Sequence, residues 1–154
     1  MANTYTSLNY HLVFSTKNRE LWLNDAVRER LWPYLGGIAR ENGMKALEIG
    51  GVADHVHILV SIPASMALSK AVQLIKGGSS HWIKDSFPNM AVFAWQDGYG
   101  AFTVSESQLG TVRDYIRRQP EHHRTKTFAE EYKAFLETHI DASEPDAPSI
   151  ADAA

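Results

Sequence analysis

The stretch His55-Val56-His57-Ile58-Leu59-Val60-Ser61-Ile62 constrains this chain more than any other. Val56, Ile58, Val60 and Ile62 recur with the two-residue period of a strand that lays one face on a core. Residues two apart on a strand share a face, ~6.7 Å apart along the chain. An apolar face made by the even positions therefore leaves His55 and His57 side by side on the other. Residues 5–16 alternate in the same way, with Leu8, Tyr10, Leu12 and Phe14 opposed to Asn9, His11, Val13 and Ser15.

Asn24 is placed to cap a helix running to about Asn42, with Ala26, Val27, Leu31, Leu35 and Ile38 as its apolar stripe and Gly43 as its stop. Strands are expected over 44–51 and 55–62, joined near Gly50, Gly51 and Asp54, the second ending at Pro63. A helix from about Ser65 follows, interrupted at Gly77-Gly78. Residues 91–96 and 100–104 read as a hairpin-like pair. Ser105 with Gln108 forms a capping box for a helix reaching Gln119, where Pro120 limits it, and Thr127 with Glu130 forms another for a helix ending near His139. Strand-helix-strand-strand-helix-strand is the order of an α+β, ferredoxin-like (RRM-like) fold. It predicts an antiparallel sheet with helices on one face and a tyrosine-bearing helix near the open face. Residues 1–140 are expected to form a single domain and 141–154 a disordered tail.

The net charge of −3 argues little about partners, because four of the acids lie in the last fourteen residues and the remainder carries +1. Bases gather at Lys17 and Arg19 and again at Arg113, Arg117, Arg118, Arg124 and Lys126. With no cysteine, disulfides and thiolate metal sites are excluded. The first residues lack the pattern of a signal peptide, and no apolar run approaches the ~18 residues of a membrane span. A cytoplasmic protein without a membrane partner is the expectation.

Two groups of residues could carry chemistry. The paired imidazoles of His55 and His57 could hold one divalent cation, or could be two structural histidines; spacing alone leaves both readings. Tyr115 and Gln119 lie four apart, on one face of a helix. A phenol oxygen can attack a phosphodiester and an amide oxygen is a hard metal ligand, but a surface tyrosine packing its ring would look the same. A phenol with a pKa near ~10 would need help from a neighbouring cation or base.

Together with their surroundings these residues resemble the single-tyrosine HUH transposases (His, hydrophobic, His) of the insertion-sequence 200/605 type. The resemblance spans roughly 5–140 and runs through YHLVFSTKNR at 10–19, DHVHILV at 54–60, KGGSSHWI at 76–83, WQDGYGAFTVSESQ at 95–108 and YIRRQPEHHR at 115–124. It implies that His55, His57 and Gln119 hold Mg2+ or Mn2+ and that Tyr115 is the catalytic nucleophile. Tyr115 would form a 5′-phosphotyrosine and release a 3′-OH, and strands would be rejoined by attack of another 3′-OH. The implied partners are single-stranded DNA with subterminal hairpins and a second copy of the chain, the tyrosine helix of one subunit serving the histidines of the other.

DNA contacts are expected, with less to support them, from His11, Lys17, Arg19, Lys76, Ser79, Ser80, Arg117, Arg118, His122 and His123; a second metal site at the last two is a further option. Trp22, Trp32, Trp82 and Trp95 read mostly as core. A non-catalytic single-strand binder of the same fold would carry an aromatic pair on its central strands, where this chain has histidines. A domesticated relative that processes repetitive palindromes fits the sequence as well as a mobile transposase does.

Gly110 lies inside the expected tyrosine helix, where glycine costs ~1 kcal/mol relative to alanine. We read it as freedom for the helix start to reposition Tyr115 between cleavage and rejoining. Gly110→Ala should therefore slow rejoining relative to cleavage in a time course of DNA products; equal rates in variant and parent would refute this role.

Overall fold

The computed structural model describes residues 3–123 and 127–139. Four strands, β1 (Asn9–Ser15), β2 (Lys45–Val52), β3 (His55–Ser61) and β4 (Gly100–Thr103), form one antiparallel sheet in the order β2-β3-β1-β4. That is the ferredoxin-like order anticipated from the periodicities. The helices are α1 (Asp25–Glu41), α2 (Leu68–Ser86), α3 (Leu109–Arg117), α4 (Gln119–His122) and α5 (Phe128–His139). None of the described helices is long and apolar enough to cross a membrane. The acidic tail lies outside the described residues.

The main core forms where the even face of β3 (Val56, Ile58, Val60) and Leu12 and Phe14 of β1 meet Val27, Leu31, Leu35 and Ile38 of α1 and Ala71, Val72, Ile75 and Ile83 of α2. Asn24 caps α1 by accepting a hydrogen bond from the Val27 N–H at 3.0 Å. Gly77-Gly78 does not interrupt α2, which is continuous. A Cβ on Gly78 would lie 3.1 Å from Ile38 Cδ1, so the small residue lets α2 approach α1.

The expected hairpin over 91–104 is only half present. Of its first arm, Trp95 makes one isolated bridge to Thr16, while Phe93 and Trp95 turn into the core, Trp95 edge-on to Phe14. Lys76 holds the connection to β4, its ammonium donating to the carbonyls of Gln96 (2.5 Å) and Gly98 (2.9 Å). At the next junction Ser105 makes no side-chain cap; a 3-10 turn over Glu106–Gln108 precedes α3.

The second face of the sheet is not open. Phe128 and Tyr132 of α5 pack on Val13 and Phe102, and Ile116 with Leu109 and Val112 of α3 packs on Leu59 and Val104. Helix α3 can approach β2 because Gly50 lies beneath it: a Cβ there would fall 2.6 Å from the Ile116 carbonyl oxygen and 2.9 Å from its Cγ2. Tyr115 is adjacent to Ile116, so this contact also sets the depth of the tyrosine. Gly50→Ala should lower stability by roughly 1–3 kcal/mol, the usual result of overpacking, in a denaturant titration. The same change at solvent-facing Gly77, which a Cβ would leave without a neighbour within 4 Å, should not destabilise the fold.

Candidate metal and nucleophile site

Strand β3 delivers His55 and His57 to the second face, where both are fully buried. Its register with β1 sets Val13 opposite His57, which places His11 diagonally beside it on the same face. His11 is itself buried, and its Nε2 lies 2.8 Å from His57 Nδ1.

His55 is oriented from both ends of its ring. Nδ1 lies 2.7 Å from Asp54 Oδ1 and Nε2 lies 3.1 Å from Gln119 Oε1. Both partners are oxygen acceptors. If Nδ1–H donates to Asp54, the Nε2 lone pair faces Gln119 Oε1 and, at 3.8 Å, Glu131 Oε1. A carboxylate behind an imidazole in this way fixes its tautomer and raises its basicity as a ligand. Burial alone would push the Asp54 carboxyl up, but the hydrogen bond and charge of His55 outweigh it and hold Asp54 below its ordinary range.

Glu131 of α5 is the residue that the sequence reading missed. Its carboxylate is 4% exposed; Oε1 lies 2.6 Å from His57 Nε2 and Oε2 lies 2.7 Å from His123 Nε2. Burial opposes its charge, yet the hydrogen bonds from His123 and His57 prevail and keep it well below the usual carboxylate range. Burial lowers His57 to about 4 despite the Glu131 bond, so its imidazole is neutral at neutral pH. A neutral ring has one N–H. Here Nε2–H must donate to the carboxylate, and Nδ1 accepts from His11 Nε2–H.

His55, His57 and Glu131 each offer one donor atom, and the three atoms lie within 4.8 Å of one another. Gln119 adds an amide oxygen, 3.1 Å from both His55 Nε2 and His123 Nε2. An amide oxygen turned toward imidazoles is a hard donor that fits a cation site. The mixed imidazole and oxygen donor set suits Mn2+ and, with its oxygens, Mg2+.

Tyr115 stands at the His57 side of this cluster. Its ring centroid is 5.7 Å from that of His57, 6.1 Å from His11 and 4.8 Å from His122, and its hydroxyl hydrogen-bonds Gln119 and Glu131. Burial first, and then the Glu131 charge, push its pKa up. Tyr115 and Gln119 do not share one continuous helix. The chain leaves α3 at Arg118 (φ −90°, ψ 12°) and begins α4 at Gln119-Pro120, because Pro120 has no N–H to continue the ladder.

The remaining candidates separate. His123 belongs to the cluster, 3.1 Å from Gln119 Oε1, and does not form a second metal site with His122, which packs on Tyr115. Ser79 is fully buried, donating to Ile75 O and accepting from Trp95 Nε1, which removes it from contact with DNA. Lys76 is turned into its loop. Ser80 is half-buried on α2, Lys17 and Arg118 are exposed, Arg117 pairs with Glu48, and Arg19 lines a cleft beside Asp54. Glu131 had one legible signal. It lies three residues after Phe128 and beside Tyr132, so it is an acid inside an apolar helical stripe.

Comparison with known proteins places these features. A family model described as "Transposase IS200 like" matches residues 4–119, which include both strand histidines, Tyr115 and Gln119 but stop short of Glu131. The ISDra2 transposase TnpA of Deinococcus radiodurans is 30% identical over 117 residues, 73% of this chain and 84% of that protein. The transposase for insertion sequence element IS200 of Salmonella typhimurium is 29% identical over 126 residues, 79% of this chain and 82% of its own. A crystal structure assigned to a transposase of Deinococcus radiodurans superposes with TM-score 0.63 at 28% identity, over 77% of this chain and 96% of that one. A REP-associated tyrosine transposase solved with a REP hairpin shares the fold, with TM-score 0.60 at 15% identity, 97% of this chain and 96% of the other being covered. The histidine strand and the tyrosine helix both fall within the matched region, and the chain belongs to the IS200-like transposase family.

Proposed function

We propose that this transposase cuts and rejoins single-stranded DNA with Tyr115 as nucleophile, at a divalent cation held by His55, His57, Gln119 and Glu131. The observation that carries this reading is the meeting of a phenol with a buried imidazole, amide and carboxylate donor set whose imidazoles are each backed by a second residue. Mg2+ or Mn2+ in that set supplies charge neutralisation at the scissile phosphate.

The chain's own groups perform the remaining work. Tyr115 forms the bond to phosphorus, giving a 5′-phosphotyrosine, and the strand upstream leaves as a 3′-OH. Glu131, an ionised carboxylate bonded to the Tyr115 hydroxyl, is placed to accept the phenol proton, which offsets the raised pKa of that phenol. Gln119 orients the hydroxyl. His11 has a supporting role: binding a cation through His57 Nε2 requires the other tautomer, with Nδ1–H donated to His11. No net proton need leave the His11–His57 pair for that change.

Tyr115 lies beside the histidines of its own chain, which favours catalysis in cis and makes no demand on a second copy, even if the protein dimerises. For the substrate we infer a hairpin-bearing single strand, by extension from the relative solved with a REP hairpin.

With labelled hairpin-bearing single-stranded DNA and Mn2+, a covalent protein–DNA species should form and disappear both on chelation and in Tyr115→Phe, while Tyr115→Phe still binds Mn2+. A covalent species that survives Tyr115→Phe rules out this nucleophile. His11→Phe should weaken Mn2+ binding by roughly 10- to 100-fold in calorimetry, the usual effect of deleting a partner behind a ligating imidazole, and saturating Mn2+ should restore much of the cleavage. Unchanged affinity would leave His11 with a packing role only.

A further inference from the structure

The chain reverses between β1 and α1 over a turn at Lys17–Arg19, where Asn18 (φ 58°) and Arg19 (φ 53°) are both left-handed. Two successive non-glycine residues in that region form a strained arrangement, and such strain concentrates at ligand sites. The turn forms one wall of a cleft of about 840 Å3, within the ~300–1,000 Å3 range of small-molecule sites. Asn18, Arg19 and Leu21 line one side; Asp54, Pro120 and Phe128 are among the residues lining the rest. Leu21 is 76% exposed, a large apolar side chain held at the surface beside this opening.

The cleft touches the proposed metal site on one side only. Asp54 bonds His55, the Phe128 ring lies 4.5 Å from the His55 ring, and His123, which also lines the cleft, bonds Gln119 and Glu131. Tyr115 instead lies against His57, His11 and His122. The nucleophile and the cleft thus flank the donor set, one at each histidine. Phosphoryl transfer needs the attacking and leaving oxygens roughly in line across phosphorus.

Resting on the reading above, we propose that this cleft binds the nucleoside whose 3′-oxygen leaves, the one immediately 5′ of the cut. The Tyr115 oxygen–phosphorus bond forms, the phosphorus–O3′ bond breaks, and O3′ takes up a proton as the phenol gives one up. The group retained in the cleft is then the 3′-OH end required for rejoining. Its chemistry suits a base more than a second phosphate. The Asp54 carboxylate would repel an anion but accepts from a base N–H, the Asn18 amide both donates and accepts, and Leu21, Pro120 and Phe128 supply apolar surface. Arg19 has no ion-pair partner among the described residues and can follow the sugar–phosphate backbone outward.

The test uses the full chain, Mn2+ and a library of hairpin-bearing single-stranded oligonucleotides with a randomised single-stranded segment, sequencing the 3′ ends of the released fragments. One base should dominate that terminal position by about ten-fold, the discrimination of a single well-placed base contact. Asn18→Gly removes the amide and keeps the left-handed backbone, and Leu21→Ala removes exposed apolar surface. Each should flatten the preference at the terminal base and leave preferences elsewhere in the segment unchanged. A parent enzyme with no preference at that base, or variants that keep it, overturns the proposal. Absence of any covalent adduct from the parent overturns the cleavage reading itself, and the cleft assignment with it. Should Leu21→Ala melt well below the parent, Asn18→Gly alone decides.

Discussion

The Glu131 carboxylate, buried between the imidazoles of His57 and His123, governs how the second face of the sheet is organised. Taking a carboxylate out of water costs several kcal/mol even after relaxation, and only well-formed hydrogen bonds and opposite charge offset it. Helix α5 therefore does not dock through Phe128 and Tyr132 alone. Its position must also bring one carboxylate within reach of two imidazoles and a phenol. An apolar residue at 131 would close the same face at lower cost. A strongly perturbed cluster standing where simple packing would serve points to chemistry, and of this cluster His55, His57, Tyr115 and Gln119 fall within the family match while Glu131 and His123 lie beyond it.

The imidazole of His57 that meets Glu131, and through it the depth of Tyr115, is positioned by β3. Because side chains alternate, a slip of one residue would carry His55 and His57 into the core and expose Val56 and Ile58. The register that prevents this also sets Gly50 of β2 opposite His57. With no side chain at that point, α3 descends until Ile116 rests on the sheet, and its neighbour Tyr115 arrives at the imidazole. On the other flank the same register brings His11 of β1 to His57 Nδ1. Core packing on one face thus determines hydrogen bonding on the other.

This explains which parts of the molecule could be read from the sequence. The alternation of β1 and β3 and the cap at Asn24 are local signals, and each element formed near its expected bounds. The predicted interruption at Gly77-Gly78 failed because glycine lowers helix propensity only modestly, while close approach of α2 to Ile38 rewards it. The first arm of the expected hairpin failed because Phe93 and Trp95 gain more by entering the core than by pairing. The single tyrosine helix failed at Pro120, a limit already visible in the sequence but with the helix end placed two residues too late. Glu131 was hidden for a different reason. Its partners lie 74 and 8 residues away, and nothing in the local periodicity of α5 says what an acid in an apolar stripe will meet.

The buried carboxylate also bears on how substrate and cation relate in the proposed site. Glu131 is an anion placed against the Nε2 edge of His57, the edge toward which a scissile phosphate would have to come. Two anions cannot share that edge in a poorly solvated setting, where repulsion at close range amounts to several kcal/mol. A divalent cation changes the sign of the problem. With His57 in its other tautomer, Glu131 would be one of the residues holding the cation, and its charge would be offset rather than set against that of the phosphate. Under the proposed function the same residue would compete with DNA without the cation and act with it once the cation is held. The order of events would then be metal first, strand second, set by the electrostatics of the carboxylate.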